Sequence, residues 1–273
     1  MKTIVAATDF SPNANRATHF AMQLARAQHA RLIVVNAFHF WPANPAETGG
    51  NFPLSTRTMY EDSQKRLKHL AHELHEHYGA DVPIECITKE GYAMPSIREV
   101  TQDKKADLLI MSTVGTAPQS AQLMGSVATE MVAQTNVPLL LIPPSANYGT
   151  IRNVLLSIDL DTPPNAVVLD VAIGFARQLD CAINVLCIND KPNDPAVHHK
   201  AEHIRRLLVQ IPHTLTILPG ADVYESLLTF AHATKADLII MFPQPHNWLR
   251  TLFVDGETER TARLTDIPLL AIV

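Results

Sequence analysis

Glycine is scarce in this chain, with 10 glycines among 273 residues, and its placement excludes two kinds of nucleotide site. The first glycine is Gly49, so residues 1–48 hold neither a G-x-G-x-x-G turn nor a G-x-x-x-x-G-K-[ST] loop. A second strand-and-turn stretch, "SIDLDTPPNA" at 157–166, has no glycine either. The chain therefore lacks the ordinary dinucleotide-binding fingerprint and the ordinary P-loop at both places.

Other absences bear on location and partners. The three cysteines are an odd number without a C-x-x-C pair, which favours a reducing cytoplasm over a disulfide framework. The start, "MKTIVAATDF", reaches Asp9 too early for the apolar core of a signal peptide. No apolar run approaches the ~18–20 residues of a membrane span, and the net charge of −5 offers no basic stripe for nucleic acid. We expect a cytoplasmic protein without a membrane or nucleic-acid partner.

The chain repeats itself at a fixed offset of 130 residues. "KADLLIMS" at 105–112 matches "KADLIIMF" at 235–242, and "TNVPLLLI" at 135–142 matches "TDIPLLAI" at 265–272. Two matches that share one offset without a gap indicate a tandem duplication.

The front of each half matches at a longer offset. "TIVAATDFS" at 3–11 resembles "NVLLSIDLD" at 153–161, an offset of 150. The extra 20 residues of the first half are assigned to the proline- and glycine-rich stretch 38–55, which its breakers mark as a loop. We therefore predict a first domain at 1–145 and a second at 150–273.

Each half predicts alternating strands and helices. Apolar, β-branched runs of the first half lie at 3–7, 32–37, 83–88, 107–111 and 138–142. A helical period between the first two runs places Phe20, Leu24 and Ala27 on one face. Apolar strands separated by helices imply a parallel sheet covered on both faces. We expect an α/β fold of two tandem Rossmann-like domains, each a five-stranded doubly wound parallel sheet, with the ligand crevice at the carboxyl ends of the strands.

A spaced glycine motif follows the fourth predicted strand. Written as spacing it is Ser112-x2-Gly115-x9-Gly125-Ser126. Here the chain resembles the universal stress protein (UspA) family, whose nucleotide-binding members carry G-x2-G-x9-G-[ST] at this place. Ser112 departs from the family pattern, because a serine stands where the first family glycine is expected.

The resemblance covers the whole chain as two family domains in tandem. It includes Asp9 after the first strand and Pro138 at the head of the last strand, and it implies an adenine nucleotide alpha hydrolase-like fold. Single-domain members of the family pair through the last strand, so the resemblance implies that the two domains pack as an internal pseudo-dimer. Such pairing would also cover an apolar strand edge. Whether the chain forms a further homodimer is left open.

The motif residues have the chemistry of a phosphate cradle. Glycine lets backbone N–H groups approach phosphate oxygens closely, and Gly125 and Ser126 open a helix whose N-terminus favours anions. The Ser126 hydroxyl adds a donor or caps that helix, and Asp9 is positioned for a ribose hydroxyl or a Mg²⁺ ion. The resemblance implies further contacts from Ala7, Thr8, Met111 and Val127, with an adenine seat near Ala37.

The second half has lost this motif. At the offset of 130, Ser112, Gly115, Gly125 and Ser126 become Phe242, Pro245, Asp255 and Gly256. Proline has no N–H to donate, and an aspartate repels phosphate. We expect at most one nucleotide site per chain. "NWLRTLF" at 247–253 is interpreted as a packed or interface loop, with a different small ligand as the alternative.

Two histidine groups admit more than one interpretation. "HLAHELHEH" at 69–77 and "HHKAEH" at 198–203 are expected to be exposed helical histidines, with Zn²⁺ binding as the alternative.

Three functions remain compatible with the sequence. The first is a stress-response regulator that binds ATP, ADP or AMP, with or without Mg²⁺, and the second is a nucleotide-free scaffold. The third is a slow ATPase that uses Asp9 and Mg²⁺. No nucleophile and base can be paired in the sequence, so no catalytic residue is assigned. The alternative for the motif itself is that Gly115 and Gly125 only shape a loop and that Asp9 caps the first helix.

Overall fold

The computed structural model describes residues 1–39, 56–115, 126–146, 148–220, 223–242 and 266–272. These residues group into two compact units, Met1–Leu139 and Leu140–Val273. The boundary falls inside the fifth strand, and the predicted domain limits of 1–145 and 150–273 stay a prediction. The predicted pairing of the two halves through their last strands also stays a prediction.

The first half alternates strands and helices as its apolar periodicity predicts. Its elements are β1 (Thr3–Ala7), α1 (Pro12–Ala27), β2 (Arg31–Phe38), α2 (Thr56–Tyr78), β3 (Ile84–Glu90), α3 (Ala93–Asp103), β4 (Leu108–Ser112), α4 (Ser126–Gln134) and β5 (Leu139–Ile142). The strands run in the order β3-β2-β1-β4 with parallel pairing of β1 to both β2 and β4. The Leu109 amide donates to the Pro138 carbonyl at 3.0 Å, which brings the start of β5 beside β4.

The second half repeats this order. Its elements are β6 (Asn153–Ser157), α5 (Ala166–Gln178), β7 (Ala182–Ile188), α6 (Pro195–Leu207), β8 (His213–Leu218), α7 (Val223–Ala233), β9 (Leu238–Met241) and β10 (Leu269–Ala271). The strand order is β8-β7-β6-β9-β10, again with all described pairs parallel. The predicted α/β class and the doubly wound sheet are confirmed in both halves.

The first helix shows how local sequence sets an element. Ser11 caps α1, because its hydroxyl accepts a hydrogen bond from the Ala14 amide at 3.2 Å, and a proline follows at the first helical position. Phe20 and Leu24 are buried as expected. The prediction for Ala27 was wrong: it lies in the last turn and is exposed, because alanines earlier in the helix complete the buried face.

The central strands form the core because almost every side chain in them is buried. Residues of β1, β4 and β6 include Ile4, Leu108 and Leu155, each with no exposed side chain. Continuous apolar strands of this kind require helices on both faces of the sheet. Among the described residues, none of the helices is long and apolar enough to cross a membrane.

An aspartate at the start of β4 and its repeat at the start of β9 make the same contact. Asp107 accepts hydrogen bonds from the amides of Lys2 (2.6 Å) and Thr3 (2.9 Å) through Oδ2. Asp237 accepts from the amides of Arg152 (2.8 Å) and Asn153 (2.9 Å) in the same way.

This carboxylate extends the backbone ladder by one step. The Asp107 amide donates to the Thr3 carbonyl, and the Asp237 amide to the Asn153 carbonyl. The repeated aspartate of "KADL" therefore ties the first strand of each half to its fourth.

Replacing Asp107 by alanine tests this tie. Hydrogen bonds to a charged acceptor are lost while the amides regain only water, so we expect the free energy of unfolding to fall by about 1–2 kcal/mol. Asp103→Ala is the matched control, since Asp103 is exposed at the end of α3 and should change stability by less than about 0.5 kcal/mol. Urea unfolding followed by circular dichroism gives both values, and equal midpoints for the two variants would contradict the assignment.

Candidate functional site

The two loops predicted to form a crevice leave neighbouring strands at the same edge of the sheet. β1 pairs with β2 on one side and with β4 on the other, and Ala6 lies opposite Ile110 in that second pairing. Chain connections leave β1 and β4 toward different sides of such a sheet, so a crevice opens at the carboxyl ends between them. The sequence after β1 is Thr8-Asp9, and the sequence at the end of β4 and beyond is Ser112 to Gly115.

Asp9 is held in a turn that precedes the helix cap. Its Oδ1 accepts a hydrogen bond from the Ser11 amide at 2.9 Å. The cap of α1 is Ser11 and not Asp9, so capping of the first helix does not account for Asp9.

The turn contains a strained residue. Phe10 has φ of 62°, a left-handed conformation that bulky residues rarely adopt. Its amide donates to the Thr8 hydroxyl at 2.9 Å, and the Arg66 guanidinium lies 4.1 Å from the centre of its ring. Backbone strain is often found near functional side chains. Here the strained residue, Phe10, directly follows Asp9.

Buried polar side chains of β2 and α2 form a hydrogen-bond network at the end of β1. The Asn36 side-chain amide donates to the Thr8 carbonyl at 2.7 Å and accepts from the Ser63 hydroxyl at 2.7 Å. Ser63 lies 3.2 Å from the Thr88 hydroxyl of β3. Sequence reasoning did not single out Asn36 or Ser63, although a lone asparagine inside the apolar run of β2 was the available signal.

Gly115 lies against the Asp9 carboxylate. A Cβ added to Gly115 would stand 2.8 Å from Oδ2 of Asp9, a distance that normal Cβ contacts do not reach. Moving the Asp9 carboxylate away would disturb the hydrogen bond that its other oxygen accepts from the Ser11 amide. The absence of a side chain at Gly115 is therefore what lets the loop after β4 approach Asp9.

The side-chain hydroxyls of Ser112 and Thr113, which precede Gly115 in the sequence, have different surroundings. The Ser112 hydroxyl donates to the Val114 carbonyl at 2.8 Å, so it closes a local turn of the loop. The Thr113 hydroxyl is buried and has no hydrogen-bond partner among the described residues. An unsatisfied buried hydroxyl costs about 1–3 kcal/mol. Sequence reasoning did not single out Thr113, and its position between Ser112 and Gly115 was the available signal.

The other predicted site residues occupy the ends of the same elements. Ala7 and Met111 are buried near the ends of β1 and β4, Ala37 is half-buried near the end of β2, and α4 begins at Ser126 as predicted. Val127 is half-buried in the first turn of that helix. Gly125 lies outside the described residues.

The matching carboxylate of the second half has different neighbours. Oδ1 of Asp159 accepts from the Asp161 amide at 2.8 Å, as Asp9 does from Ser11, but Oδ2 accepts from the Thr162 hydroxyl at 2.7 Å. Phe242 is buried at the end of β9, where the first half has Ser112. Pro245, Asp255, Gly256 and the stretch 247–253 lie outside the described residues.

The thiols and histidines offer no competing site within the described part of the chain. Burial raises the pKa of Cys181 to about 11 and that of Cys187 to about 12, so both stay protonated at neutral pH. No group of three or more metal-ligating side chains occurs among the described residues. His72 contacts Glu76 at 3.2 Å, and His75 contacts the Val82 carbonyl at 3.0 Å.

Comparisons with known proteins agree on one family. The model of the Universal stress protein family matches residues 1–143. A universal stress protein of Methanocaldococcus jannaschii is 28% identical over 52% of this chain and 81% of its own length. One from Thermus aquaticus is 31% identical over 52% of this chain and 98% of its own. A solved universal stress protein from Archaeoglobus fulgidus has a TM-score of 0.71 over 99% of this chain and 95% of its own, at 14% identity, which shows a shared fold.

The contact between Gly115 and Asp9 can be tested by a double-mutant cycle. Gly115→Ala forces its new methyl group against the carboxylate, and we expect the free energy of unfolding to fall by about 1–2 kcal/mol. In an Asp9→Ala background the same change should cost about 1 kcal/mol less, because the obstructing oxygen is gone. Gly149→Ala is the control, since no described atom lies within 4 Å of the place its methyl group would take. Additive effects of the two changes in chemical unfolding would contradict the contact.

Proposed function

This chain belongs to the universal stress protein family, and we propose that its first half binds an adenine nucleotide, as ATP, ADP or AMP, in the crevice after β1 and β4. The nucleotide would make the chain a regulator whose surfaces change with ligand state, in keeping with a stress-response role. The observation that carries the proposal is the close approach of Gly115 to the Asp9 carboxylate.

This approach supports binding because it combines two features a nucleotide needs. A carboxylate held at the crevice is a receptor for ribose hydroxyls, which donate hydrogen bonds. Because Gly115 has no side chain, the backbone N–H groups of its loop can approach phosphate oxygens. The start of α4 at Ser126 adds the positive end of a helix dipole to the same loop.

The buried Thr113 hydroxyl supports the same assignment. A group that is buried without a partner among the described residues can be satisfied by a ligand or an ordered water. In this proposal Thr113 bonds the ligand, and Ser112 keeps its bond to Val114 and shapes the loop. Serine at the position of a family glycine is then compatible with binding, because its hydroxyl is used within the loop.

Mg²⁺ and hydrolysis form a separate part of the proposal. Mg²⁺ prefers carboxylate, water and phosphate oxygens, and Asp9 is the carboxylate at this crevice. No base is assigned to activate water, so we expect any phosphate release to be slow and to require Asp9.

Nucleotide titration of matched glycine variants tests the cradle. We expect ATP to bind the unaltered chain and Gly125→Val to weaken binding by more than about tenfold, because the side chain fills the space that phosphates need. Gly256→Val changes a glycine of the second half, one residue after the position that corresponds to Gly125, and should leave the affinity unchanged. Isothermal titration calorimetry with ATP, ADP and AMP, with and without Mg²⁺, measures each affinity.

The outcomes separate the remaining functions. If titration with none of the three nucleotides releases or absorbs heat, the binding proposal is contradicted and the nucleotide-free scaffold is favoured. Phosphate release above the buffer rate that disappears in Asp9→Ala would instead assign slow ATP hydrolysis to the first half.

A further inference from the structure

The described residues of the second half line a large crevice. It lies at the carboxyl ends of β6 and β7 and has a volume of about 740 Å³. We call it the second-half crevice; it is lined by residues 157–159, 161–162, Pro164, 188–191, Asp194, 196–197, Lys200, Gly220, Val223 and Phe242. A volume of this size accommodates a small organic ligand.

The floor of the second-half crevice is apolar. Ile158 and Val197 are buried beneath it, and the Phe242 ring lies on the side where the first half has its motif loop. Ile188 is half-buried at the end of β7. A floor of this kind favours a ligand with an apolar or aromatic body.

The rim carries more negative than positive charge. Its four carboxylates belong to Asp159, Asp161, Asp190 and Asp194, and its two ammonium groups to Lys191 and Lys200. An excess of carboxylates in a cleft attracts cations and repels phosphate.

Three of the four carboxylates are already used by the protein. Asp159 holds its own turn, Asp161 pairs with Lys200 at 2.7 Å, and Asp194 caps α6 by accepting from the Ala196 amide at 2.8 Å. Asp190 makes no hydrogen bond or ion pair with the rest of the described chain, and it stands directly after Asn189 at the rim.

We propose that the second-half crevice binds a small organic cation, namely a primary amine on an apolar or aromatic body, and that Asp190 receives the ammonium group. Burying the body on the floor supplies apolar contact, and the net charge of the rim selects the cation over an anion of the same size. The two halves would then bind ligands of opposite charge. The proposal does not depend on nucleotide binding by the first half.

Three probes of similar size and different charge test the selectivity on the full chain. Phenethylamine is the cation, phenylacetate the anion and 2-phenylethanol the neutral analogue. We expect phenethylamine to bind at least about tenfold more tightly than phenylacetate, with the alcohol between them. The preference should shrink as salt is added, because the rim charges are exposed. Calorimetry in which phenylacetate binds as tightly as the amine, or the amine produces no heat, would overturn the proposal.

Three variants place the binding in the second-half crevice. Asp190→Asn should weaken phenethylamine binding by about threefold to tenfold and leave 2-phenylethanol unchanged. Asp170→Asn removes the same charge from an exposed position of α5 outside the crevice, and it should change neither probe. Ala196→Trp should block all three probes by filling the crevice. Unchanged amine affinity in Asp190→Asn, or in a folded Ala196→Trp by circular dichroism, would rule out this site.

Discussion

The parallel pairing of one strand with two neighbours determines where chemistry can occur in each half. β1 lies between β2 and β4, and β6 lies between β7 and β9. The chain passes from β1 to β2 on one side of the sheet and from β4 to β5 on the other, so right-handed connections leave β1 and β4 on opposite faces. The two diverging connections therefore leave an open space at the carboxyl ends of β1 and β4. Asp9 and Gly115 come together at this opening because of strand order, although 106 positions separate them in the sequence.

The turn after the first strand of each half has the same first contact and a different second contact. In both, the first carboxylate oxygen accepts from the amide two residues later, at 2.9 Å for Asp9 and 2.8 Å for Asp159. The second oxygen of Asp159 is bonded to Thr162 in its own loop, whereas that of Asp9 faces the glycine of another loop. The Asp159 carboxylate thus forms both of these contacts within its own turn.

The strands and their order followed from the sequence because burial on both faces leaves a continuous apolar run, which is visible without any long-range information. The run at 107–111 became β4 at Leu108–Ser112, a shift of one residue. The contacts around Asp9 and Thr113 were harder to predict from the sequence. The strain at Phe10, the support of Asn36 under Thr8 and the isolation of the Thr113 hydroxyl depend on residues far apart in the chain. Ala27 failed for a local reason, since the buried face of α1 ends at Ala25 whereas periodicity alone continues it.

The duplication separates contacts that both halves share from a contact that is described in one half alone. Asp107 and Asp237 make the same pair of backbone contacts, so a position that the fold needs recurs with its geometry intact. Gly115 has no such counterpart, and the second half forms its sheet in the same order without it. A side chain at this position would be crowded, because Oδ2 of Asp9 lies 2.8 Å from where the Cβ would stand. The close approach of Gly115 to Asp9 is therefore a property of the loop after β4 and not a requirement of the sheet.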